Sequence, residues 1–119
     1  MPMNILIADS DKEFISDIRR SWNLDDTEII LCDDKDNLMP LVKNDPIDLA
    51  FIEVPLLTFD NMDLVSFLKE KKPGIEIFVL CDNKNWPGAT SAINRGANSF
   101  LMTPTTVNQL EETAKKIQT

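Results

Sequence analysis

No histidine occurs anywhere in the chain, which excludes histidine general-base catalysis and histidine metal ligation outright. Glycine is nearly as scarce. Only Gly74, Gly88 and Gly96 are present, and none lies early enough to form a phosphate-cradling loop of backbone amides after the first apolar run. Cysteine is limited to Cys32 and Cys81, each closing an apolar run where a small hydrophobe fits as well as a thiol. Such sparing use suits a reducing compartment. Basic residues are outnumbered 12 to 20 by acidic ones, and the resulting net charge of −8 repels phosphate backbones and anionic lipid. Direct nucleic-acid or membrane-surface binding is therefore not expected. Apolar runs span a handful of residues, far short of the roughly 20 needed to cross a bilayer, and Met1-Pro2-Met3-Asn4 lacks the features of a signal peptide. A soluble, cytoplasmic protein is expected.

What is present suffices for one core: 43% of 119 residues are apolar, which predicts a single domain over 1–119, standing alone or opening a longer protein. Five short apolar runs recur, Asn4 to Ala8, Glu28 to Cys32, Leu49 to Val54, Ile75 to Cys81 and Phe100 to Met102. They are continuous instead of alternating, the mark of strands covered on both faces. Between them the spacing is helical. Phe14, Ile18 and Trp22 with Ile15 form one stripe, Leu64, Val65 and Leu68 a second, and Val107, Leu110, Ala114 and Ile117 a third. Weaker helices are predicted over Asn37 to Asn44, interrupted by Pro40, and Ala89 to Arg95, stopped by Gly96. Five strand–helix alternations specify a three-layer α/β/α sandwich with a five-stranded parallel sheet, five helices and right-handed crossovers. The common order 2-1-3-4-5 separates Cys32 from Cys81 by three strand spacings, roughly 14 Å, beyond disulfide reach.

Ligands of such sheets bind beyond the carboxyl ends of the strands, where the order reverses. The residues there are Asp9, Ser10 and Asp11, then Asp33 and Asp34, Glu53, Cys81 and Asp82, and finally Thr103 and Pro104. Strands one and three are neighbours at the reversal, so Asp9 and Glu53 should face each other in an acidic pocket. Ser10-Asp11-Lys12-Glu13 also fits the Ser-x-x-Glu capping box, which casts Ser10 as the start of the first helix. Cys81 reads as buried filler, since the acids around it disfavour a thiolate. Trp86-Pro87 is placed in the loop before the fourth helix, with the tryptophan packed over that loop as its ordinary reading.

The order of these segments resembles the receiver domain of response regulators, the CheY-like family. Asn4-Ile-Leu-Ile-Ala-Asp9-Ser-Asp is similar to its first strand and acidic cluster, Asp48-Leu-Ala-Phe-Ile-Glu53 to its phosphoacceptor strand, and Arg95-Gly-Ala-Asn-Ser-Phe-Leu-Met-Thr-Pro104 to its last strand and Lys-Pro turn. The resemblance implies a CheY-like, flavodoxin-like fold and a role in two-component phosphorelay signalling in bacteria. It also exposes departures. Of two adjacent acids that help hold magnesium only Asp9 remains, the second position being Ser10. The acceptor aspartate is matched by Glu53, the Thr or Ser after the fourth strand by Cys81, and the phosphate-contacting lysine by Thr103. The aromatic switch position is kept as Phe100, and Asp60-Asn61 stands where the family has an Asp-Gly turn.

These departures compound, because phosphoryl transfer depends almost wholly on positioning and charge neutralisation. The extra methylene of Glu53 displaces its carboxylate by on the order of 1 Å, an error that can cost roughly a hundredfold. Loss of one preorganised donor, as at Thr103, costs about 3 to 4 kcal/mol in comparable sites. Ser10 offers a neutral oxygen where magnesium prefers carboxylate, so any ion would rest weakly on Asp9. The expectation is a non-enzymatic, atypical receiver without a cofactor, working through its fourth helix, fifth strand and fifth helix on an effector or a second copy of itself. A working phosphoacceptor charged by a histidine kinase with magnesium is the rival, and a flavodoxin-like cofactor binder is a third reading. Glu53 itself has two readings: a partial imitation of a phosphorylated aspartate, or a solvated acid whose pKa is raised by Asp9.

Overall fold

A computed structural model describes residues 2–59 and 61–118. The strands β1 (Met3–Ala8), β2 (Thr27–Cys32), β3 (Leu49–Glu53), β6 (Glu76–Cys81) and β7 (Ser99–Met102) form one parallel sheet in the order β2-β1-β3-β6-β7. Counted among these five alone, the order is 2-1-3-4-5, the common order expected for such a sheet. The extra numbers belong to a feature the sequence did not announce, a hairpin of β4 (Thr58–Phe59) and β5 (Met62–Asp63) between β3 and the third helix. Asn61 sits in that hairpin with φ 65°, a left-handed conformation asparagine tolerates where glycine is more usual. Asp60, the other half of the expected Asp-Gly-like turn, lies outside the described residues.

Five helices cover the sheet: α1 (Lys12–Ser21), α2 (Lys35–Asn44), α3 (Leu64–Lys71), α4 (Trp86–Asn94) and α5 (Val107–Gln118). Alternate residues of each strand point to opposite layers. Ile5, Ile7, Leu49, Phe51 and Leu80 meet Ile15 and Ile18 of α1 and Leu110 and Ala114 of α5. Leu6, Ala8, Ala50, Ile52, Ile77, Val79 and Cys81 meet α2, α3 and α4 on the other face. Both faces are thus dry, which explains the continuous apolar runs.

Three helix boundaries differ from expectation. The cap of α1 is Asp11, not Ser10: its Oδ1 accepts from the backbone N–H groups of Glu13 and Phe14 at 3.0 and 3.2 Å. Aspartate is as good a cap as serine, and here it stands one residue nearer the helix. Helix α2 begins at Lys35, capped by Asp34, and runs on through Pro40. Helix α4 begins at Trp86, with Pro87 in its first turn where a missing N–H costs nothing. It ends in a Schellman turn in which Gly96 (φ 124°) donates to Ile93 O and Ala97 donates to Ala92 O, both at 3.0 Å.

No helix among the described residues is long and apolar enough to cross a membrane. Cys32 and Cys81 are buried free thiols in strands three spacings apart.

Candidate functional site

At the carboxyl ends of β1, β3 and β6 lies a cavity of about 200 Å³ lined by Asp9, Asp11, Phe14, Glu53, Leu80, Cys81, Asp82, Asn85, Thr103, Pro104 and Thr105. It is the crevice at the reversal of strand order, where the sequence places Asp9 and Glu53. The β1 ladder continues one residue past the strand, since Asp9 N donates to Cys32 O at 3.0 Å. That bond draws Asp9 into the sheet, and it is the one charged residue buried among the described residues, 5% exposed.

The two acids are held differently. Asp9 Oδ1 accepts from Asp11 N at 2.9 Å, a turn that leads into the cap of α1. Glu53 leaves the end of β3, and its Oε1 accepts from Ser10 N at 2.8 Å. The glutamate therefore reaches across the mouth to the β1–α1 loop, and what it uses of Ser10 is the peptide, not the hydroxyl. Burial is the largest influence on Asp9. Together with the nearby Glu53 and Asp11 it outweighs the Asp11 N–H bond and pushes the Asp9 pKa up to about 7. The second acid expected beside Asp9 is present, and its charge adds to the effect of burial on Asp9.

Thr103 does not reach into the cavity as a long cation would. Its N–H and its Oγ1 both donate to Cys81 O, at 2.7 and 3.2 Å, so it splices β7 to β6. Pro104 follows it as part of the wall, after a cis peptide. Cys81 is 1% exposed, its Sγ 3.6 Å from Met102 Sδ, and burial, then Asp82, pushes its thiol up. It packs as a small buried side chain against Met102. Cys32 is likewise raised by burial, and its Sγ donates to Asp34 O at 3.1 Å. Phe100 lies outside the cavity, 43% exposed on β7.

Three lining residues escaped sequence reasoning. Phe14 was assigned to the core stripe and also forms part of the cavity wall. Asn85 closes a reciprocal turn, its Oδ1 accepting from Asp82 N at 2.7 Å while Asp82 Oδ1 accepts from Asn85 N at 2.9 Å. An Asp-x-x-Asn sequence after a strand is the available signal for such a turn. Thr105 borders the cavity just past Pro104, with no sequence signal of its own.

Among the described residues, no lysine or arginine lines the cavity. Lys12, the nearest cation in sequence, pairs with Asp33 at 3.1 Å. Asp9 Oδ1 and Glu53 Oε1 each accept a backbone N–H, and no three acidic or thiol side chains among the described residues are grouped to hold a metal.

Comparison with known proteins adds the wider setting. A family model described as the response regulator receiver domain matches residues 5–115. The response regulator MprA of Mycolicibacterium vanbaalenii is 23% identical over 110 residues, 92% of this chain and 48% of that protein. The chain thus spans about half the length of the curated relatives it matches. Among solved structures, a CheY-like receiver domain protein from Methanospirillum hungatei aligns with TM-score 0.79 at 18% identity, covering 98% of this chain and 94% of its own. The receiver domain of NtrX from Brucella abortus aligns with TM-score 0.73 at 22% identity, covering 94% and 95%. These likenesses bear on the fold.

Proposed function

The chain belongs to the response regulator receiver domain family, and from that premise we propose that it is an atypical receiver, acting by protein contact instead of by accepting phosphate at Glu53. One observation carries this reading. The carboxylate at the acceptor position is tied to Ser10 N–H in a cavity where, among the described residues, no ammonium or guanidinium waits for an incoming phosphoryl group. Developing negative charge there would meet Asp9, Asp11 and Asp82 and nothing to offset them.

The contact surface, on this reading, is α4, β7 and α5. Trp86, Phe100 and Met102 are its exposed apolar side chains, 53%, 43% and 42% exposed. Its partner is an effector domain, in the same chain or separate, or a second copy of the protein. The work is non-enzymatic, cytoplasmic, and free of direct nucleic-acid or membrane contact, as the charge of −8 favours.

The test is incubation of the protein with magnesium and a small phosphodonor, followed by intact-mass measurement. No phosphate-sized increment is expected, and titration with magnesium and beryllofluoride should leave the fluorescence of Trp86 without a saturable change. An adduct present in the native chain and lost in Glu53→Gln would establish the rival reading, a phosphoacceptor served by a histidine kinase.

A further inference from the structure

Glu53 and Val54 are consecutive, and each is gripped by a different part of the fold. Glu53 Oε1 is held by Ser10 N–H at 2.8 Å. Val54 opens the short 3-10 turn Val54–Leu56, and its side chain fills the space beside Gly88 in α4. A Cβ added at Gly88 would lie 2.6 Å from Val54 Cγ1, closer than real carbon atoms approach. Glycine weakens a helix, so its use here has a packing reason. The buried residues that follow, Ala89 and Ala92, are small, and they let α4 lie close to the sheet and the turn. The other end of α4 is fastened separately, by Arg95 Nε to Asp63 Oδ2 at 2.6 Å, the same Asp63 that caps α3.

We propose that Glu53 is a strut that sets the position of α4: its bond to Ser10 N–H fixes the start of the 3-10 turn, and Val54 hands that position to α4 at Gly88. The longer arm of glutamate is what the strut requires, since an aspartate there is one methylene short of Ser10. The inference rests on the functional reading above, because a carboxylate spent in this way holds the contact surface in one state without phosphate. Glu53 is a positioning residue. It touches no partner, and its effect appears in the placement of Trp86, the first residue of α4.

Amide hydrogen exchange on the full chain tests this. Glu53→Asp should speed exchange in α4 by about tenfold relative to β1 and β3, as expected when one anchoring hydrogen bond is lost. Glu53→Gln, which keeps the arm and an acceptor oxygen, should stay within about threefold of the native chain. In a Val54→Ala background the change to aspartate should add nothing, because the link to Gly88 is already cut. Three results would overturn the strut: unchanged α4 exchange, equal acceleration of every element, or an effect of Glu53→Asp undiminished by Val54→Ala. Should Glu53→Asp fail to fold, Val54→Ala alone must alter iodide quenching of Trp86, and no alteration would overturn the proposal. A phosphate adduct on the native protein would instead remove the functional reading, so the two failures are distinguishable.

Discussion

The two ends of β3 place carboxylates in opposite circumstances. At the amino end Asp48 Oδ2 accepts from Asn4 N at 2.8 Å, and the Lys72 ammonium pairs with its other oxygen. Burial would raise Asp48, but the Asn4 N–H and Lys72 together win, and its pKa is held below the ordinary value. At the carboxyl end Asp9 is buried more deeply and also accepts a backbone N–H, yet it ends near 7. The difference lies in the neighbours: a lysine at one end, a second acid at the other. Depth works in the same direction, since the Asp48 side chain is 34% exposed and Asp9 only 5%, so burial and the second acid together raise Asp9 while the Asn4 N–H and the lysine lower Asp48. The amino end is built for stability, and the carboxyl end keeps an unrelieved charge that stability alone would have removed.

The sharpest way to break this contrast is to delete the charge at Asp9. The folded state retains the Asp9 proton at pH values where the unfolded chain, with a pKa of 3.8, has released it. Asp9 therefore favours folding fully below its unfolded pKa, and that contribution is lost as pH rises through about 7. A separation of this size corresponds to on the order of 4 kcal/mol. Asp9→Asn, which keeps an oxygen for Asp11 N–H, should match the native chain near pH 3, below the unfolded 3.8, and exceed its unfolding free energy at pH 8 by a sizeable part of that figure. Urea unfolding at the two pH values checks it. Parallel pH slopes for both proteins would mean that the mouth is not strained.

At the other end the expected effect is smaller and opposite in sign. Asp48→Ala leaves Asn4 N–H without its acceptor and Lys72 without its partner. The ion pair is 47% and 34% exposed and counts for little, so most of a loss of about 1 to 2 kcal/mol at neutral pH comes from the hydrogen bond. A depressed pKa stabilises above the unfolded value and ceases to do so as pH falls through the folded one. The gap between mutant and native protein should narrow in acid, below the unfolded 3.8. A gap equal at pH 7 and pH 3 would assign the loss to packing and not to charge.

How much of this contrast the sequence displays depends on the length scale of each feature. The sheet was legible because Ile5 to Ala8 and Leu49 to Ile52 are short continuous apolar runs alternating with helical spacing, as a doubly covered parallel sheet requires, and its order is the common one for five such strands. The meeting of Asp9 with Glu53 followed from that order. The hairpin Thr58–Phe59 with Met62–Asp63 was invisible, since two-residue strands have no period to detect. Trp86-Pro87-Gly88 reads as a loop by composition. It proves to be a helix start because proline suits the first turn and glycine answers a close contact with Val54, a neighbour 34 positions away. The depth of Asp9 was hidden for the same reason: neighbours along the chain do not reveal how far a ladder continues past its strand.

The smallest expected effect concerns Ser10, and it separates side chain from backbone at the mouth. The capping box predicts that Ser10→Ala should unfasten α1. With the cap at Asp11 instead, Ser10→Ala should change stability by less than about 0.5 kcal/mol, the range of exposed positions without a special role. Asp11→Ala, by contrast, should cost about 1 kcal/mol through the lost bonds to Glu13 and Phe14. Thermal unfolding of the two variants side by side decides between the caps, and equal losses would restore Ser10 to the role its sequence suggests. The same pair bears on the acids, because Glu53 is bound to a peptide N–H that every residue except proline supplies. Alanine at position 10 leaves that bond in place, so the divergence between Asp9 and Asp48 should survive Ser10→Ala intact.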